Sequence, residues 1–177
     1  MTVNLQRAPV LNPRLEDFEC LGEGTKFLDQ ICPLTDRSQF FSEFNRDDIA
    51  LAAEYMRVYR ASRGQPLICE HGSGDYMLLV IEGTVDISKT NAAGATQHMT
   101  TVMPGMTLGE MSMIDGEPRF ASCSAADAVT FSVLTRDDVA RIILERPALG
   151  AKILIKLVTM LSQRLRQTSA QLLQYMS

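Results

Sequence analysis

The sequence has 177 residues and a formal net charge of −4 at pH 7; 46% of its residues are hydrophobic and 21% are charged. This composition can form a packed core, so it excludes a disordered, collagen-like or mucin-like chain. The sequence contains no uncharged apolar stretch of about 18 residues, and its first residues lack the apolar core of a secretion signal. It therefore predicts a cytoplasmic protein that makes no contact with a membrane.

The N-terminal third contains one clear helix. Three prolines lie among mixed polar and apolar positions in residues 1–37, which we expect to form an irregular N-terminal arm with one short helix at most. Apolar residues then recur at helical spacing, and Asn45 is a suitable helix N-cap that is followed by two aspartates. This pattern predicts a helix over residues 46–56.

The middle of the chain has the pattern of an antiparallel β structure. Glycines recur at intervals of eleven residues, at positions 72, 83, 94 and 105. The segments between them alternate like strands, as in Met77, Leu79 and Ile81, and a further β segment covers residues 121–134. Short strands separated by regular turns indicate a sandwich or a roll. Residues 38–146 are therefore predicted to be a jelly-roll-like antiparallel β-roll with flanking helices.

Helical spacing returns after Thr135. Two aspartates open a short helix that Pro147 ends, and a long helix is predicted over residues 148–175, within a C-terminal segment 147–177. Apolar residues follow a heptad pattern along this helix, which we call the seam. The seam consists of Leu154, Val158, Leu161, Leu165, Thr168, Leu172 and Tyr175. The fold class is therefore α+β, with an N-terminal helix, a β-roll and C-terminal helices, of which the last is long.

The seam suggests a homodimer in which two such helices pair in parallel, although the same stripe can instead cover the roll within one subunit. A second apolar stripe, formed by Ile153, Leu157 and Met160, gives the helix a second packing surface. The chain has five basic and no acidic residues from 146 onward, so this helix can meet an acidic partner or present a solvated face.

Cysteine and histidine usage does not indicate a disulfide framework or a metal site. The cysteines are Cys20, Cys32, Cys69 and Cys123. They are scattered without a C-x-x-C pair, and we expect reduced thiols. His71 and His98 lie 27 positions apart near turns, so both are expected at the surface.

Residues 104–122 carry the strongest functional signal. A short helix that starts near Gly109 would direct backbone amides outward, and glycine allows a ligand to approach closely. Arg119 supplies a permanent charge suited to phosphate, and Glu110 suits a sugar hydroxyl. These residues predict a site for a phosphorylated sugar. From spacing alone, a surface bulge with an exposed Arg–Glu pair explains them equally well.

The same segment resembles the phosphate-binding cassette of the cyclic-nucleotide-binding domain family. The kinase-type cassette reads Gly-Glu-Leu-Ala-Leu-Ile-Tyr-Gly-Thr-Pro-Arg-Ala-Ala, and residues 109–121 follow it without a gap. The glycine-punctuated strands and the two C-terminal helices are also similar to those of the family, so the resemblance covers about residues 38–175. It implies a sensor that binds a cyclic nucleotide, with cyclic AMP expected and cyclic GMP possible, and that uses no metal.

The resemblance also assigns roles to individual residues. Glu110 would bind the ribose 2′-hydroxyl, Gly109 and the amides of Glu110 and Met111 would face the sugar-phosphate, and Arg119 would pair with the cyclic phosphate. The run Arg-Leu-Arg-Gln-Thr-Ser at 164–169 resembles the adenine-contacting run of the catabolite activator protein. It makes Thr168 and Ser169 candidate base contacts, although Thr168 is equally well explained as a polar seam position.

One position departs from the family pattern. Phe120 stands where the family has a small residue whose backbone amide approaches the phosphate. The resemblance therefore implies that the Phe120 amide contacts the ligand, although its ring could narrow the site. Because neighbouring side chains in a strand point to opposite faces, a ligand-facing Arg119 would turn Phe120 away. The alternative function is a degenerate member of the fold that acts as a dimeric protein-interaction module without a small ligand.

Catalysis and direct DNA recognition are not expected. A jelly-roll metal oxygenase needs two or three gathered histidines, and no P-loop, G-x-S-x-G or dinucleotide motif occurs. The sequence ends at Ser177 without a recognition helix, so sequence-specific DNA binding is not expected either. The expected partner is an effector protein, which the sequence does not identify and which would respond to the C-terminal helix.

Overall fold

The computed structural model describes residues 13–175, and the side chain of Tyr175 is outside the description. The expectations for residues 1–12, for the last two residues and for the Tyr175 seam position therefore lie outside the described residues. The described chain forms the expected α+β fold, in which helices pack on one side of an antiparallel roll.

The roll consists of two antiparallel sheets. The strands are β1 (Glu19–Glu23), β2 (Arg57–Ala61), β3 (Pro66–Ile68), β4 (Tyr76–Glu82), β5 (Val85–Thr90), β6 (Thr96–Val102), β7 (Thr107–Leu108), β8 (Ser122–Ala125) and β9 (Val129–Thr135). One sheet has the strand order β1-β2-β9-β4-β7, and the other has the order β3-β8-β5-β6. The helices are α1 (Leu28–Ile31), α2 (Arg46–Ala53), α3 (Glu110–Asp115), α4 (Arg136–Glu145) and α5 (Pro147–Tyr175).

Strand β4 separates two hydrophobic cores. Its side chains alternate between the two faces of the sheet, as strand geometry requires. Met77 and Leu79 belong to the core that the sheet shares with the helices, whereas Leu78 and Val80 belong to the core inside the roll. Both faces of this strand are therefore buried, which explains its continuous run of apolar residues.

Helix α2 begins where the sequence predicts it and ends three residues earlier. The side chain of Asn45 accepts a hydrogen bond from the Asp48 amide at 2.8 Å, and the Asp48 carboxylate accepts one from the Asn45 amide at 3.1 Å, which forms a reciprocal N-terminal cap. The helix ends at Ala53 rather than at residue 56, because the chain there turns into β2 and the Met56 carbonyl accepts a hydrogen bond from the Gly24 amide.

The segment before α2 contains a strand that the sequence does not reveal. Strand β1 pairs antiparallel with β2 at the edge of the five-stranded sheet. Helical turns follow β1, and they place Ile31 and Leu34 in the core beside the helices. The interpretation of residues 1–37 as an irregular arm misses this strand, because long-range pairing with β2 forms it rather than a local pattern.

Helix α5 presents two apolar faces, as predicted. Ile153 and Leu157 are buried against the sheet and the other helices, whereas the seam residues Leu154 and Val158 are exposed. From residue 162 to residue 174 every described side chain of α5 is exposed, so the second half of the helix extends beyond the roll. Within residues 13–175, no helix has the length and apolar character needed to cross a membrane.

The basic residues of the C-terminal segment pair with carboxylates of this same chain. The pairs are Arg146–Glu54 at 3.7 Å, Lys152–Asp48 at 2.5 Å, Lys156–Glu43 at 2.5 Å and Arg164–Glu110 at 3.6 Å. The last three contacts connect α5 to the α2 region and to the start of α3, and Arg146 lies immediately before α5. Four of the five cations therefore have intramolecular partners, and the helix is not simply a solvated basic face.

Candidate functional site: the cassette between β7 and β8

The site is built around α3 and the loop that follows it. Gly109 immediately precedes α3 and has φ +83°, a left-handed conformation that side chains rarely adopt. A Cβ atom at this position would lie 2.5 Å from Nη1 of Arg119. Glycine is therefore needed here both for the backbone turn and for the close approach of the arginine. The short helix expected near Gly109 is confirmed.

Arg119 is a buried residue of the site, with only 2% of its surface exposed. Its Nη1 donates a hydrogen bond to the Gly109 carbonyl and its Nη2 donates one to the Tyr76 carbonyl, both at 2.8 Å. The guanidinium also lies 4.7 Å from the centre of the Tyr76 ring, within the range of a cation–π contact. The arginine is therefore held between the start of α3 and the start of β4.

The guanidinium of Arg119 has no ion-pair partner among the residues that the structure describes. No carboxylate forms an ion pair with it, and its buried Nε has no hydrogen-bond partner within this part of the chain. Burial lowers the pKa of Arg119, although the nearby Tyr76, Cys123 and the Asp75 carboxylate act in the opposite direction. A buried cation with an unused donor is costly by itself, and an anionic ligand would satisfy both requirements.

Two glycines before β4 help to place this arginine. The Arg119 amide donates to the Gly72 carbonyl, and the Arg119 carbonyl accepts from the His71 amide, both at 2.8 Å. A Cβ atom at Gly74 would lie 2.3 Å from Nη2 of Arg119. Gly74 and Tyr76 were not predicted as site residues, and the glycine-rich stretch before β4 was the only local signal for them.

Glu110 is also buried, with 2% of its surface exposed. Its Oε1 accepts a hydrogen bond from the Thr107 hydroxyl at 2.6 Å and lies 3.6 Å from Nη2 of Arg164. The structure thus brings Gly109, Glu110 and Arg119 together, and it adds two residues that the sequence analysis did not assign, Thr107 and Arg164. Through Arg164, helix α5 contacts a carboxylate of the site directly.

Phe120 faces away from the buried arginine. Its side chain is 56% exposed, and the ammonium of Lys89 lies 3.5 Å from the centre of its ring. Lys89 also donates to the Phe120 carbonyl at 2.6 Å and pairs with Glu70 at 3.1 Å. The ring therefore lies at the surface against Lys89 of β5, whereas the Arg119 side chain is buried.

The remaining candidate residues are exposed. Met111 is exposed on the first turn of α3. Thr168 and Ser169 are exposed on the second half of α5, and the Thr168 hydroxyl donates to the carbonyl of Arg164 at 3.0 Å. Thr168 follows Arg164 by one helical turn, so the two candidate base contacts lie just beyond the point where α5 meets Glu110.

The predicted surface position of both histidines is confirmed, and the cysteines differ in their exposure. No disulfide joins the four cysteines, and burial raises the pKa of Cys123 to about 12, so its thiol is neutral. His71 and His98 are both exposed. Within the described chain, no group of three or more His, Cys, Asp and Glu side chains is arranged to hold a metal ion.

Comparison with known proteins adds independent findings. The sequence profile described as "Cyclic nucleotide-binding domain" matches residues 58–146. A solved cyclic nucleotide-binding domain from Methylobacillus flagellatus is 34% identical and has a TM-score of 0.80. The match covers 90% of this chain and 90% of that chain.

Longer relatives are also similar. The cyclic AMP receptor protein of Thermus thermophilus is 27% identical over 135 residues, which are 76% of this chain and 61% of the receptor. The solved catabolite activator protein of the same organism has a TM-score of 0.70 at 27% identity, and the match covers 76% of this chain and 62% of that one. The chain thus spans about three-fifths of the length of these two relatives. The profile, the fold and the site agree, and the chain belongs to the cyclic nucleotide-binding domain family.

Proposed function

We propose that this protein is a cyclic AMP sensor, in which nucleotide binding changes the position of helix α5 and an effector protein reads the change. The observation that carries the proposal is the buried Arg119, whose Nε has no hydrogen-bond partner and whose guanidinium forms no ion pair in the described chain. An anion with several acceptor oxygens satisfies such a guanidinium, because the planar group can donate two hydrogen bonds to one phosphate.

The neighbouring residues favour a phosphate that is attached to a sugar. The two oxygens of the Glu110 carboxylate can accept several hydrogen bonds, and the Thr107 hydroxyl donates to Oε1. We assign Oε2 to the ribose 2′-hydroxyl. A cyclic phosphate carries a single negative charge, which the single charge of Arg119 balances, and the close approach at Gly109 leaves no side chain between them.

Helix α5 supplies the response. Its Arg164 pairs with Glu110, and the candidate base contacts Thr168 and Ser169 lie one turn further along the same helix. A nucleotide that contacts both Glu110 and α5 would bind one position of the helix more strongly than others. The difference in affinity between the two positions then determines how far binding shifts the helix.

The outward orientation of Phe120 bears on the alternative function, a module without a small ligand. That alternative rested mainly on a ring that blocks the site, and the ring instead lies against Lys89 outside it. A module that only binds proteins would not need a buried arginine that forms no ion pair, nor a buried glutamate in the same cassette. We therefore prefer the sensor, which acts by binding rather than by catalysis and requires no metal.

Isothermal titration calorimetry tests the proposal directly. Cyclic AMP should release or absorb heat on binding the full chain, and linear 5′-AMP should bind far more weakly because its dianionic phosphate does not match the single buried cation. At about 100 times its dissociation constant, cyclic AMP should add about 2.7 kcal/mol to the free energy of unfolding. Absence of binding by both cyclic AMP and cyclic GMP would reject the sensor.

We further propose that two chains associate through the seam of α5, which is consistent with the exposure of Leu165 and Leu172 on a helix that extends beyond the roll. Sedimentation should report a dimer for the unmodified chain and a monomer for the double variant Leu165→Glu, Leu172→Glu. The control variant Ser162→Glu, Gln174→Glu places the same charges off the seam and should stay dimeric. A monomer for the unmodified chain would reject the pairing.

A further inference from the structure

Arg136, the first residue of α4, contacts the end of α3 that lies opposite the nucleotide site. Its Nε donates to the Met113 carbonyl at 2.6 Å and its Nη2 donates to the Ser112 carbonyl at 2.9 Å. The residue as a whole is exposed, yet both of these donors point back to the last turn of the helix. One side chain of α4 is thus bonded to two backbone groups of the cassette.

Helix α3 needs such support because it has only six residues. A helix of this length is not stable alone, and its last carbonyls have no partner within the helix. The Gly116 amide satisfies the Ser112 carbonyl at 3.0 Å, and the positive charge of Arg136 lies at the negative end of the helix dipole. A Cβ atom at Gly116 would come within 3.3 Å of Nη2 of Arg136, so glycine leaves room for this side chain.

Arg136 is itself attached to the strand that holds Arg119. Its amide donates to the Asp75 carbonyl at 2.7 Å, and the next carbonyl, that of Tyr76, accepts from Arg119. The two arginines therefore attach the two ends of α3 to the same backbone segment, Asp75 and Tyr76. Arg119 binds the Gly109 carbonyl at the first end, and Arg136 binds Ser112 and Met113 at the second.

From this geometry we propose that Arg136 is a positioning residue of the nucleotide site, which sets the place of α3 and transmits its movement to α4. The inference rests on the proposed function. Because α3 has only six residues, its two ends are close together, and loosening its far end displaces Gly109 and Glu110 at the near end. Helix α4 carries the movement on to α5, since Ile143 packs so closely on Gly150 that a Cβ atom there would lie 2.8 Å away.

The test compares three variants of the full chain by calorimetry with cyclic AMP. Arg136→Gln removes the charge, and Arg136→Lys keeps the charge but loses the second donor contact. Arg141→Gln is the control, because Arg141 lies on the same helix but contacts residues outside α3. It pairs at 3.6 Å with Asp138 and Glu145, and its guanidinium lies 5.2 Å from the centre of the Tyr55 ring. We expect Arg136→Gln to weaken binding about tenfold, Arg136→Lys to be intermediate, and Arg141→Gln to stay within about twofold.

Hydrogen exchange supplies a readout that a merely structural role would not change. In the unmodified chain, cyclic AMP should slow amide exchange in both α3 and α4. In Arg136→Gln, at saturating nucleotide, it should slow exchange in α3 alone. Protection of α4 that persists in this variant, or unchanged affinity, would overturn the role of Arg136.

The two proposals fail in different ways. If the unmodified chain does not bind cyclic AMP or cyclic GMP, the sensor itself is rejected and the role of Arg136 with it. If the unmodified chain binds and Arg136→Gln binds equally well, only the role of Arg136 is rejected. Should Arg136→Gln not fold, the comparison of Arg136→Lys with Arg141→Gln decides the question in the same way.

Discussion

Replacing Arg119 by Met separates the role of the guanidinium in binding from its role in stability. Methionine is unbranched, apolar and of similar length, so it can fill the same space beside Tyr76 and Gly109. The variant loses two hydrogen bonds from a charged donor to backbone carbonyls. It also removes a buried cation that forms no ion pair among the described residues.

These two effects on stability have opposite signs and similar size. Each lost charge-assisted hydrogen bond costs about 1.5–3 kcal/mol. The effective penalty for burying an ion is itself several kcal/mol, and the variant is relieved of it. We therefore expect the free energy of unfolding, measured in urea without nucleotide, to change by less than about 2 kcal/mol in either direction.

Binding should respond very differently. The contact between Arg119 and the cyclic phosphate is worth about 3 kcal/mol, which corresponds to a loss of affinity of more than about a hundredfold. Cyclic AMP at about 100 times the dissociation constant of the unmodified protein should raise the free energy of unfolding of that protein by about 2.7 kcal/mol, as measured by urea unfolding. The Arg119→Met variant should gain almost nothing, and Arg141→Met, which alters a surface arginine, should gain as much as the unmodified protein.

Two results would refute this reasoning. A loss of more than about 4 kcal/mol without nucleotide would show that Arg119 mainly stabilises the fold, because burial of its charge would then cost less than its hydrogen bonds contribute. Unchanged affinity for cyclic AMP would show that the buried guanidinium is not the phosphate ligand, whatever its effect on stability.

Three further predictions concern neighbouring features. Glu110→Gln should weaken cyclic AMP binding about tenfold in calorimetry, since the amide is a weaker acceptor for the ribose hydroxyl, and equal affinity would remove Glu110 from the site. Phe120→Ala should leave affinity within about threefold, because the ring faces Lys89 outside the site; a much larger loss would place the ring against the nucleotide. Acid should weaken the attachment of α5. The hydrogen bond from Lys156 lowers the pKa of Glu43 below its usual 4.5. Burial raises the pKa of Asp48, but the hydrogen bonds from Lys152 and the Asn45 amide, together with the charge of Lys152, outweigh this effect, so that the pKa of Asp48 also lies below its usual 3.8. Both carboxylates therefore stabilise the fold above these values, and that contribution is lost as the pH falls through the lower folded values. Thermal unfolding between pH 6 and pH 3 should be less pH-dependent in the double variant Glu43→Gln, Asp48→Asn, and equal pH dependence would contradict this assignment.

The sequence predicted the elements whose signals are local. The cap at Asn45, the two-residue alternation of β4 and the heptad pattern after Pro147 each depend on residues within a few positions of one another. Helix α5 was therefore placed correctly, and its two apolar faces are a direct consequence of the spacing. The end of α2 was misplaced because a contact with distant Gly24 determines it.

The site was predicted only along the cassette itself. The order of residues 109–121 identified Gly109, Glu110 and Arg119, and the structure brings these three together. Their supports could not be predicted, because Tyr76 lies on β4 and Arg164 on α5, far away in the sequence. The orientation of Phe120 also depends on a distant residue, Lys89, whose ammonium lies over the ring.

Strand β1 has a consequence for any attempt to shorten this protein. It covers the hydrogen-bonding edge of β2. It also has features that protect an edge strand from pairing with other molecules: it is short, it carries Glu19 and Glu23 at its ends, and its register shifts between Cys20 and Gly22. A chain trimmed to start at residue 38 would leave β2 bare, with its unpaired backbone groups open to other molecules. Such a fragment should aggregate, and the smallest soluble unit should keep the residues from Leu15 onward.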